Sequence, residues 1–303
     1  MDNNISVEKW HEDERVWWDK YGDYMSYQWR LTPNLNKAIR EKLEENYTSF
    51  LLNPGDKLLD LGCGSGWLSL YFSDLGMEVL GVDLSQGQIN AANKLVSNRE
   101  NGNLKFLCSD FIQWDSAEYK DRFDKVFVNA FLHHLPEIEL ESIFRKISEV
   151  LKSGGKVYMY EPLTSSSARP PLILRIVDAL IRRLADGVVR IIPNWLNMHN
   201  DHYKVAREGG YVMKSPHERP IDIDLIKKFC ANSFEIIEVK GWHLYSLGFA
   251  MQSMNLNDQI RKVYTRLTEL LFWIDTTFFR IFGWKIFSRQ QRFILCSIKL
   301  IKK

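Results

Sequence analysis

The chain has 303 residues, of which 45% are hydrophobic and 26% charged, a composition typical of a globular protein that buries a sizeable core. Four scattered cysteines without a CxxC pair argue against a zinc site or a disulfide framework, and the polar start MDNNISVEKW does not resemble a signal peptide. The net charge of +2 is unevenly distributed, because residues 259–303 carry an excess of +8 and the preceding 258 residues carry −6. We therefore expect a cytoplasmic protein whose basic, aromatic tail favours an anionic surface or substrate.

The first segment, residues 8–50, is predicted to be helical and is unusually aromatic. Its crowded rings belong to Trp10, Trp17, Trp18, Tyr21, Tyr24, Tyr27 and Trp29. We expect residues 1–50 to form a helical cap over a ligand site. Packing of these rings into the core is the alternative interpretation.

Strands and helices alternate after residue 55, which predicts a parallel sheet with right-handed crossovers. The predicted strands are residues 57–61, 78–82, 104–107, 125–129 and 156–160, and the predicted helices between them are residues 67–75, 86–98 and 139–151. This region, residues 51–162, is the predicted core domain.

The alternation then breaks twice. A first helical insertion covers residues 163–220, and the core resumes in residues 221–303, which contain a second insertion at 245–290. The resumed core has a predicted helix at 222–232 and predicted strands at 235–240 and 292–301.

Both insertions contain an apolar and basic segment, residues 170–192 and 270–287. Neither offers about 18 uninterrupted apolar residues, so a spanning helix is not predicted. Three interpretations stay open: a lid packed on its own domain, peripheral contact with a membrane, or a homodimer interface.

The stretch LLDLGCGSGW, residues 58–67, places Gly62, Gly64 and Gly66 between a predicted strand and a predicted helix. Such a turn lets a ligand approach the backbone, although a tight turn without a ligand explains it equally well. Asp83 ends the next strand, 21 residues after Gly62, where an acid can bind ribose hydroxyls. The sequence thus indicates a nucleoside-binding edge.

A nicotinamide site requires the spacing Gly-x-Gly-x-x-Gly, but Trp67 occupies the last glycine position. A loop that cradles pyrophosphate also has little use for a carboxylate such as Asp60. That carboxylate suits a ligand with a positively charged amino-acid group.

At this point the chain resembles the class I S-adenosylmethionine-dependent methyltransferases. The resemblance rests on LLDLGCGSGW, VLGVDLS, CSDF, FDKVFVNAFLHHLP and LKSGGKVYMYEP, which follow one another in the expected order. The LHHLP block is most similar to the small-molecule branch that includes ubiquinone and menaquinone methyltransferases. The resemblance implies an α/β fold with a Rossmann-like, seven-stranded, mostly parallel sheet whose last strand is antiparallel.

The resemblance also implies S-adenosylmethionine as cofactor and a role for each matching residue. The implied cofactor-binding residues are Asp60 with the loop of Gly62, Gly64 and Gly66 for the methionine end, Asp83 for the ribose, Leu84, Asp110 and Phe111 for the adenine, and Asn129 near the methyl-bearing sulfur.

The candidate catalytic residues are His133, which follows the fourth strand beside His134, and Glu161, which ends the fifth. Histidine is suited to take a proton near neutral pH, but His133 and His134 could equally orient their loop. Glu161 could bind an acceptor hydroxyl or cap the next segment. His199 and His202 lack a third ligand at defined spacing, so no metal site is predicted. The remaining histidines, His11, His217 and His243, are assigned no role.

Together these features predict a methyltransferase for a hydrophobic small-molecule or lipid-linked acceptor, with O-methylation favoured. The alternatives are a C-methyltransferase of a quinone precursor and a non-catalytic scaffold that binds the cofactor. Nucleic acid is not an expected partner, because the body is acidic and NAFLHH stands where an Asn-Pro-Pro-Tyr-like motif would hold a flipped base.

Overall fold

The structure is a computed structural model that describes residues 5–35, 37–97, 99, 102–114, 116–169, 171–196, 198–210, 215–244, 246–287 and 294–303. Its strands are β1 Lys57–Leu61, β2 Glu78–Asp83, β3 Leu104–Cys108, β4 Phe123–Asn129, β5 Leu151–Thr164, β6 Ile221–Asp222, β7 Phe234–His243 and β8 Ile294–Lys302. Its α-helices are α1 Val7–Leu35, α2 Lys37–Leu51, α3 Trp67–Asp74, α4 Gln86–Val96, α5 Leu140–Val150, α6 Leu172–Asp186, α7 Ile192–Trp195, α8 Asp201–Glu208, α9 Ile223–Cys230, α10 Ser246–Asn255 and α11 Asp258–Phe282.

The strands form one sheet in the order β3-β2-β1-β4-β5-β8-β7. Strands β1 to β5 pair in parallel, whereas β8 runs antiparallel to both β5 and β7. The prediction of a mostly parallel sheet with an antiparallel last strand is confirmed. Because parallel strands end at the same edge, the segments after β1 to β4 come together there.

The sheet has eight strands rather than the predicted seven. Strand β5 continues to Thr164, four residues beyond the predicted end, and the chain returning from the first insertion pairs Ile221 and Asp222 with its last two residues. This two-residue β6 is too short to produce a periodic pattern in the sequence.

Helices cover both faces of the sheet. Helices α5 and α9 pack on one face, where Val126 and Val128 of β4 point. Helices α2 and α3 pack on the other, with Phe127 of β4 between them and the sheet. Alternate residues of β4 therefore serve opposite layers, as expected for a strand buried on both sides.

The N-terminal segment divides into two helices with different environments. Helix α2 contributes Tyr47 and Leu51 to the core beside the sheet. Helix α1 packs Trp17 and Tyr21 against Tyr203 of the first insertion and contacts α4. Within the described residues, no helix is both long and apolar enough to cross a bilayer.

Candidate active site

A cavity of about 410 Å³ lies at the carboxyl edge of the sheet, with α1 and α2 contributing to its wall. Cavities of this size hold small molecules in proteins. Nine of the eleven predicted site residues line it: Asp60, Gly62, Gly64, Asp83, Leu84, Asp110, Phe111, Asn129 and His133. Gly66 and Glu161 are not on the wall, and both lie behind it.

Each of the three glycines in the loop is required for a different structural reason. All adopt positive φ, from 52° to 75°, which disfavours other residues. A Cβ on Gly62 would approach Phe131 to 2.6 Å, and a Cβ on Gly66 would approach Phe106 to 2.5 Å. A Cβ on Gly64 would meet only the Gln88 side chain, at 4.0 Å, and so would extend into the cavity. Gly64 is therefore the position where the cavity reaches the backbone of the loop.

The amide groups of this loop point toward β2. Gly62 and Cys63 both donate to the carbonyl oxygen of Val82, at 2.9 and 3.1 Å. Gly64 donates to the Asp83 carboxylate at 2.9 Å. Three successive amides are thus used within the protein, which is unlike a loop that gathers its amides around a phosphate.

Two acids dominate this end of the cavity. Asp60 is 2% exposed and accepts a hydrogen bond of 2.5 Å from Ser69 Oγ. Burial raises the pKa of Asp60 to about 7, the Ser69 hydrogen bond lowers it, and the charge of Asp83 raises it. Burial also raises the pKa of Asp83. Among the described residues, no lysine or arginine forms an ion pair with either acid, so a cationic ligand group would compensate both.

Gln88 adds an unsatisfied acceptor to the same end. It lies in the first turn of α4, whose N-cap Ser85 accepts a hydrogen bond from the Gln88 amide. Gln88 is buried on the cavity wall, and its Oε1 has no hydrogen-bond partner in the part of the chain that the structure describes. Leaving such an atom unpaired costs about 1–3 kcal/mol, so a ligand donor is expected here.

The predicted adenine end is tied to the cap. His11 of α1 contacts the Asp110 carboxylate through Nδ1 at 3.2 Å and the Glu139 carboxylate through Nε2 at 2.6 Å. The hydrogen bond to Asp110, then that to Glu139, raises the pKa of His11 to about 10. A protonated His11 therefore holds α1 across this end of the cavity, although its sequence context suggested no role.

Asn129 ends β4 on the cavity wall, and the next residue is strained. Ala130 has φ of 53°, in the left-handed region that favours glycine, and its amide donates to the Tyr160 carbonyl at 2.9 Å. Residues held in this region are concentrated at functional loops. The strain directs the chain from Asn129 into the turn that carries His133.

Glu161 organises that turn from behind. The fully buried carboxylate accepts hydrogen bonds from the amides of Phe131 and Leu132, at 2.8 and 2.9 Å. Its other oxygen lies 2.8 Å from His133 Nδ1. Burial raises the pKa of Glu161 to about 7, and the amide bonds oppose that shift. Glu161 therefore positions His133 rather than contacting the cavity.

His134 joins the cap to the first insertion. Its Nδ1 lies 3.2 Å from Glu14 of α1 and 2.9 Å from Ser215 Oγ. Burial, followed by the charge of His133, lowers the pKa of His134. Trp10 donates from Nε1 to the His134 carbonyl at 2.6 Å. The cap is thus fastened over the loop that carries both histidines.

The structure describes the side chain of only one of the two histidines that were weighed as metal ligands. His199 is bonded to Gln252 through Nε2 at 3.1 Å, and the side chain of His202 lies outside the described residues. Within the described part of the chain, no group of three or more His, Cys, Asp or Glu residues is arranged to hold a metal ion.

Sequence reasoning missed His11, Glu14, Gln88 and His243, all of which line the cavity. Gln88 had a usable signal, since it lies five residues after Asp83 in the first helical turn. The others contact partners more than 100 residues away or lie on an insertion boundary, where no local pattern identifies them.

The residues present fit S-adenosylmethionine. Its ammonium group would meet Asp60, its ribose hydroxyls would donate to Asp83, and a further donor of the ligand would meet the unpaired Gln88 Oε1. Gly64 leaves the space for a ligand beside the loop.

Comparisons with known proteins point to methyltransferases. Residues 58–155 match the family model described as a methyltransferase domain. The chain is 29% identical over 152 residues to the ubiquinone biosynthesis O-methyltransferase of Proteus mirabilis, a match that covers 50% of this chain and 57% of that protein. The chain thus spans somewhat more than half the length of the curated relatives that it matches.

Two solved structures share the fold. The cyclase SpnF superposes with a TM-score of 0.52 at 17% identity, over 86% of this chain and 80% of that one. Geranyl diphosphate C-methyltransferase from Streptomyces coelicolor A3(2) superposes with a TM-score of 0.51 at 13% identity, over 87% and 79%. Residues 58–155 therefore match a methyltransferase domain, and the fold agrees with the resemblance to the class I S-adenosylmethionine-dependent methyltransferases.

Proposed function

We propose that this protein transfers a methyl group from S-adenosylmethionine to a hydroxyl of a hydrophobic small molecule. The observation that carries the proposal is that one cavity has an uncompensated acidic end at Asp60 and Asp83 and, elsewhere on its wall, His133 backed by a buried carboxylate. The first feature suits a sulfonium amino acid, and the second suits an acceptor that must lose a proton.

When bound, S-adenosylmethionine supplies a methyl group on a positively charged sulfur. Asp60 and the backbone at Gly62 and Gly64 would hold its amino-acid end, and Asp83 would accept hydrogen bonds from the ribose. Leu84, Asp110 and Phe111 would hold the adenine, and Asn129 would lie nearest the sulfur. Gly66 keeps the loop in shape, since a Cβ there would collide with Phe106. Holding two reactants in line lowers a barrier by up to about 7–11 kcal/mol in favourable models.

His133 would act as the general base. With Nδ1 donating to Glu161, the basic nitrogen of the ring is Nε2, which takes the hydroxyl proton as the oxygen is methylated. Glu161 fixes the ring and stabilises the imidazolium that forms. General-base help of this kind contributes about 10²–10⁴-fold to a rate.

The acceptor would carry an apolar part. Beyond the histidines, the wall is formed by apolar and aromatic side chains, including Ile39, Leu43 and Leu295. The Proteus mirabilis relative is named a ubiquinone biosynthesis O-methyltransferase, which suggests a quinone precursor as the acceptor. C-methylation of such a precursor is the second candidate within the enzyme class.

The test is turnover of methyl-labelled S-adenosylmethionine with a prenyl-substituted catechol as acceptor. We expect a methyl ether as product with the wild-type protein and little product with His133→Ala. A ring-methylated product would instead support C-methylation. Binding of S-adenosylhomocysteine without turnover of any acceptor in a prenylated phenol, quinone and lipid panel would support a scaffold role.

We also propose that the protein works in the cytoplasm at the surface of a membrane. Helix α6 carries Leu172, Ile176, Leu180 and Leu184 at four-residue spacing, and all four are at least 50% exposed. Arg175 and Arg183 are exposed on the same helix. An exposed apolar stripe with flanking cations suits the headgroup region of an anionic bilayer.

The second apolar segment, residues 270–287, has a mixed environment. Trp273 and Ile281 are exposed, but Phe272, Asp275 and Phe279 are buried in the body. Deleting this segment would therefore damage the fold, so substitutions on α6 give the cleaner experiment.

The membrane proposal is tested by co-sedimentation with phosphatidylcholine vesicles that contain or lack phosphatidylglycerol. We expect salt-sensitive binding to the anionic vesicles alone, lost in an Ile176→Ser, Leu180→Ser double variant. Ile138→Ser, which removes an even more exposed apolar side chain outside the insertions, should bind normally. A wild-type protein that never sediments would contradict the proposal, and a homodimer dissociated by the double variant would assign α6 to an interface.

A further inference from the structure

A second histidine lines the cavity at the end of β7. His243 is 5% exposed and shares the wall with Tyr160, Ala250 and Leu295. Its ring also contacts Phe272 of α11, with 4.9 Å between ring centroids. It belongs to the strands and helices that complete the core after the first insertion.

Two residues behind His243 fix its hydrogen bonding. His243 Nδ1 lies 2.7 Å from Ser246 Oγ, and Ser246 Oγ lies 2.6 Å from Asp275 Oδ2. The amides of Leu244 and Ser246 donate to the same Asp275 oxygen, each at 2.9 Å. An oxygen that collects these donors is an acceptor, so the Ser246 hydroxyl gives its proton to Asp275. The Ser246 oxygen must then accept from His243 Nδ1–H.

The consequence is a fixed tautomer with Nε2 unprotonated. Burial lowers the pKa of His243 to about 3, so the ring is neutral at physiological pH. In the described part of the chain, the structure records a hydrogen bond of this ring at Nδ1. Most buried polar side-chain atoms are hydrogen-bonded within the protein, whereas the structure records no bond for Nε2 of this ring among the described residues, and the ring lies on the cavity wall.

We infer that His243 binds the methyl acceptor, accepting a hydrogen bond at Nε2 from a hydroxyl other than the one that is methylated. Ser246 and Asp275 are positioning residues that hold the ring in the required tautomer. This inference rests on the proposed function and narrows the substrate class to molecules with at least two hydroxyl groups, such as a catechol. A site built around a substrate hydroxyl rejects analogues that lack it, because its own polar atom is then left unpaired.

The experiment measures binding, so it does not depend on turnover. The probes are a prenyl-substituted catechol and the matching prenyl phenol, each titrated into protein saturated with S-adenosylhomocysteine. His243→Phe keeps a ring of similar size but removes the acceptor nitrogen. We expect about tenfold weaker catechol binding and unchanged phenol binding, the effect of one hydrogen bond.

The inference would be overturned if His243→Phe weakened binding of both probes equally or of neither. It would also be overturned if the wild-type protein bound neither probe. Failure of methyl transfer with intact catechol selectivity would overturn the proposed function alone. Melting temperature and S-adenosylhomocysteine affinity check that the variant is folded.

Ser246→Ala provides a second route if His243→Phe does not fold. Nitrogen NMR of the His243 ring should show protonated Nδ1 and unprotonated Nε2 in the wild type and a tautomer mixture in Ser246→Ala. A protonated Nε2 in the wild type would overturn the inference.

Discussion

The two ends of the cavity use buried carboxylates in opposite ways. At the β1–β2 end, Asp60 and Asp83 line the cavity and have no cationic partner among the described residues. At the β5–β8 end, Glu161 and Asp275 lie behind the wall, and histidines stand between them and the cavity. The first arrangement is incomplete without a cation, whereas in the second each carboxylate already has donors within the protein and holds a histidine ring in place. We therefore propose that one end binds charge and that the other orients a neutral acceptor and takes its proton.

The largest expected effect tests the catalytic half of this comparison. His133→Ala should lower kcat by about 10²–10⁴-fold, because it removes the proposed general base. Affinity for S-adenosylhomocysteine should stay within about twofold, since no cofactor contact is proposed for the ring. Glu161→Gln should lower kcat less, because the base remains but its orientation and charge support are weakened. Steady-state kinetics measures kcat, and calorimetry measures the affinity for S-adenosylhomocysteine. A loss of this affinity as large as the loss of kcat would contradict the separation of the two ends of the cavity.

The next effect tests the charge-binding half. Asp83→Asn should weaken S-adenosylhomocysteine binding by tenfold or more, because charge-assisted hydrogen bonds to the ribose are each worth about 1.5–3 kcal/mol. Asp124→Asn is the matched control, because Asp124 also accepts a backbone amide, from Lys57, but at the start of β4 and away from the cavity. Similar losses in both variants would contradict the site assignment.

We expect Asp60 to lower the stability of the folded protein while it strengthens binding of S-adenosylhomocysteine. In the folded protein without ligand its pKa is raised to about 7, whereas the unfolded chain ionises near the ordinary value of 3.8. Ionisation therefore favours unfolding as pH rises from about 4 to about 7. Asp60→Asn should raise the melting temperature at pH 8, change it little at pH 4, and weaken S-adenosylhomocysteine binding. A variant that is destabilised at pH 8 would show that Asp60 is already compensated.

The smallest effect concerns the cap. Because the pKa of His11 is raised to about 10, its stabilisation is full below about pH 6.5 and is lost as pH rises toward 10. His11→Gln should lower the melting temperature by a few degrees at pH 6 and by almost nothing at pH 10.5. Calorimetric melting at the two pH values measures the difference, and an equal loss at both would show that the His11 charge is not responsible.

The charge-binding end was the easier one to predict from sequence. Gly62, Asp83 and Asp110 follow short strands whose boundaries lie within one or two residues of the prediction, so local pattern was enough to bring them to one edge. The orienting end depends on contacts between distant segments. Glu161 was expected to face the acceptor, but its side chain turns back to the amides of Phe131 and Leu132.

The contacts of the cap and of His243 could not be predicted from the sequence either, because they also join segments that are far apart in the chain. His11 meets Asp110 and Glu139 across 99 and 128 residues. His243 is oriented by Asp275 through Ser246, and Asp275 lies in an apolar segment whose sequence left a packed lid, a membrane contact and a homodimer interface all open. Helical periodicity shows which face of a segment is apolar, but it does not show which polar side chain that face surrounds.

The most direct test of the central claim is calorimetric titration of the purified protein with S-adenosylhomocysteine, with NADH as the comparison ligand. We predict saturable binding of one S-adenosylhomocysteine per chain, weakened by Asp83→Asn, and no binding of NADH. A protein that gives no heat with S-adenosylhomocysteine or S-adenosylmethionine, or that binds NADH instead, would contradict the claim that the acidic end of this cavity holds a sulfonium nucleoside.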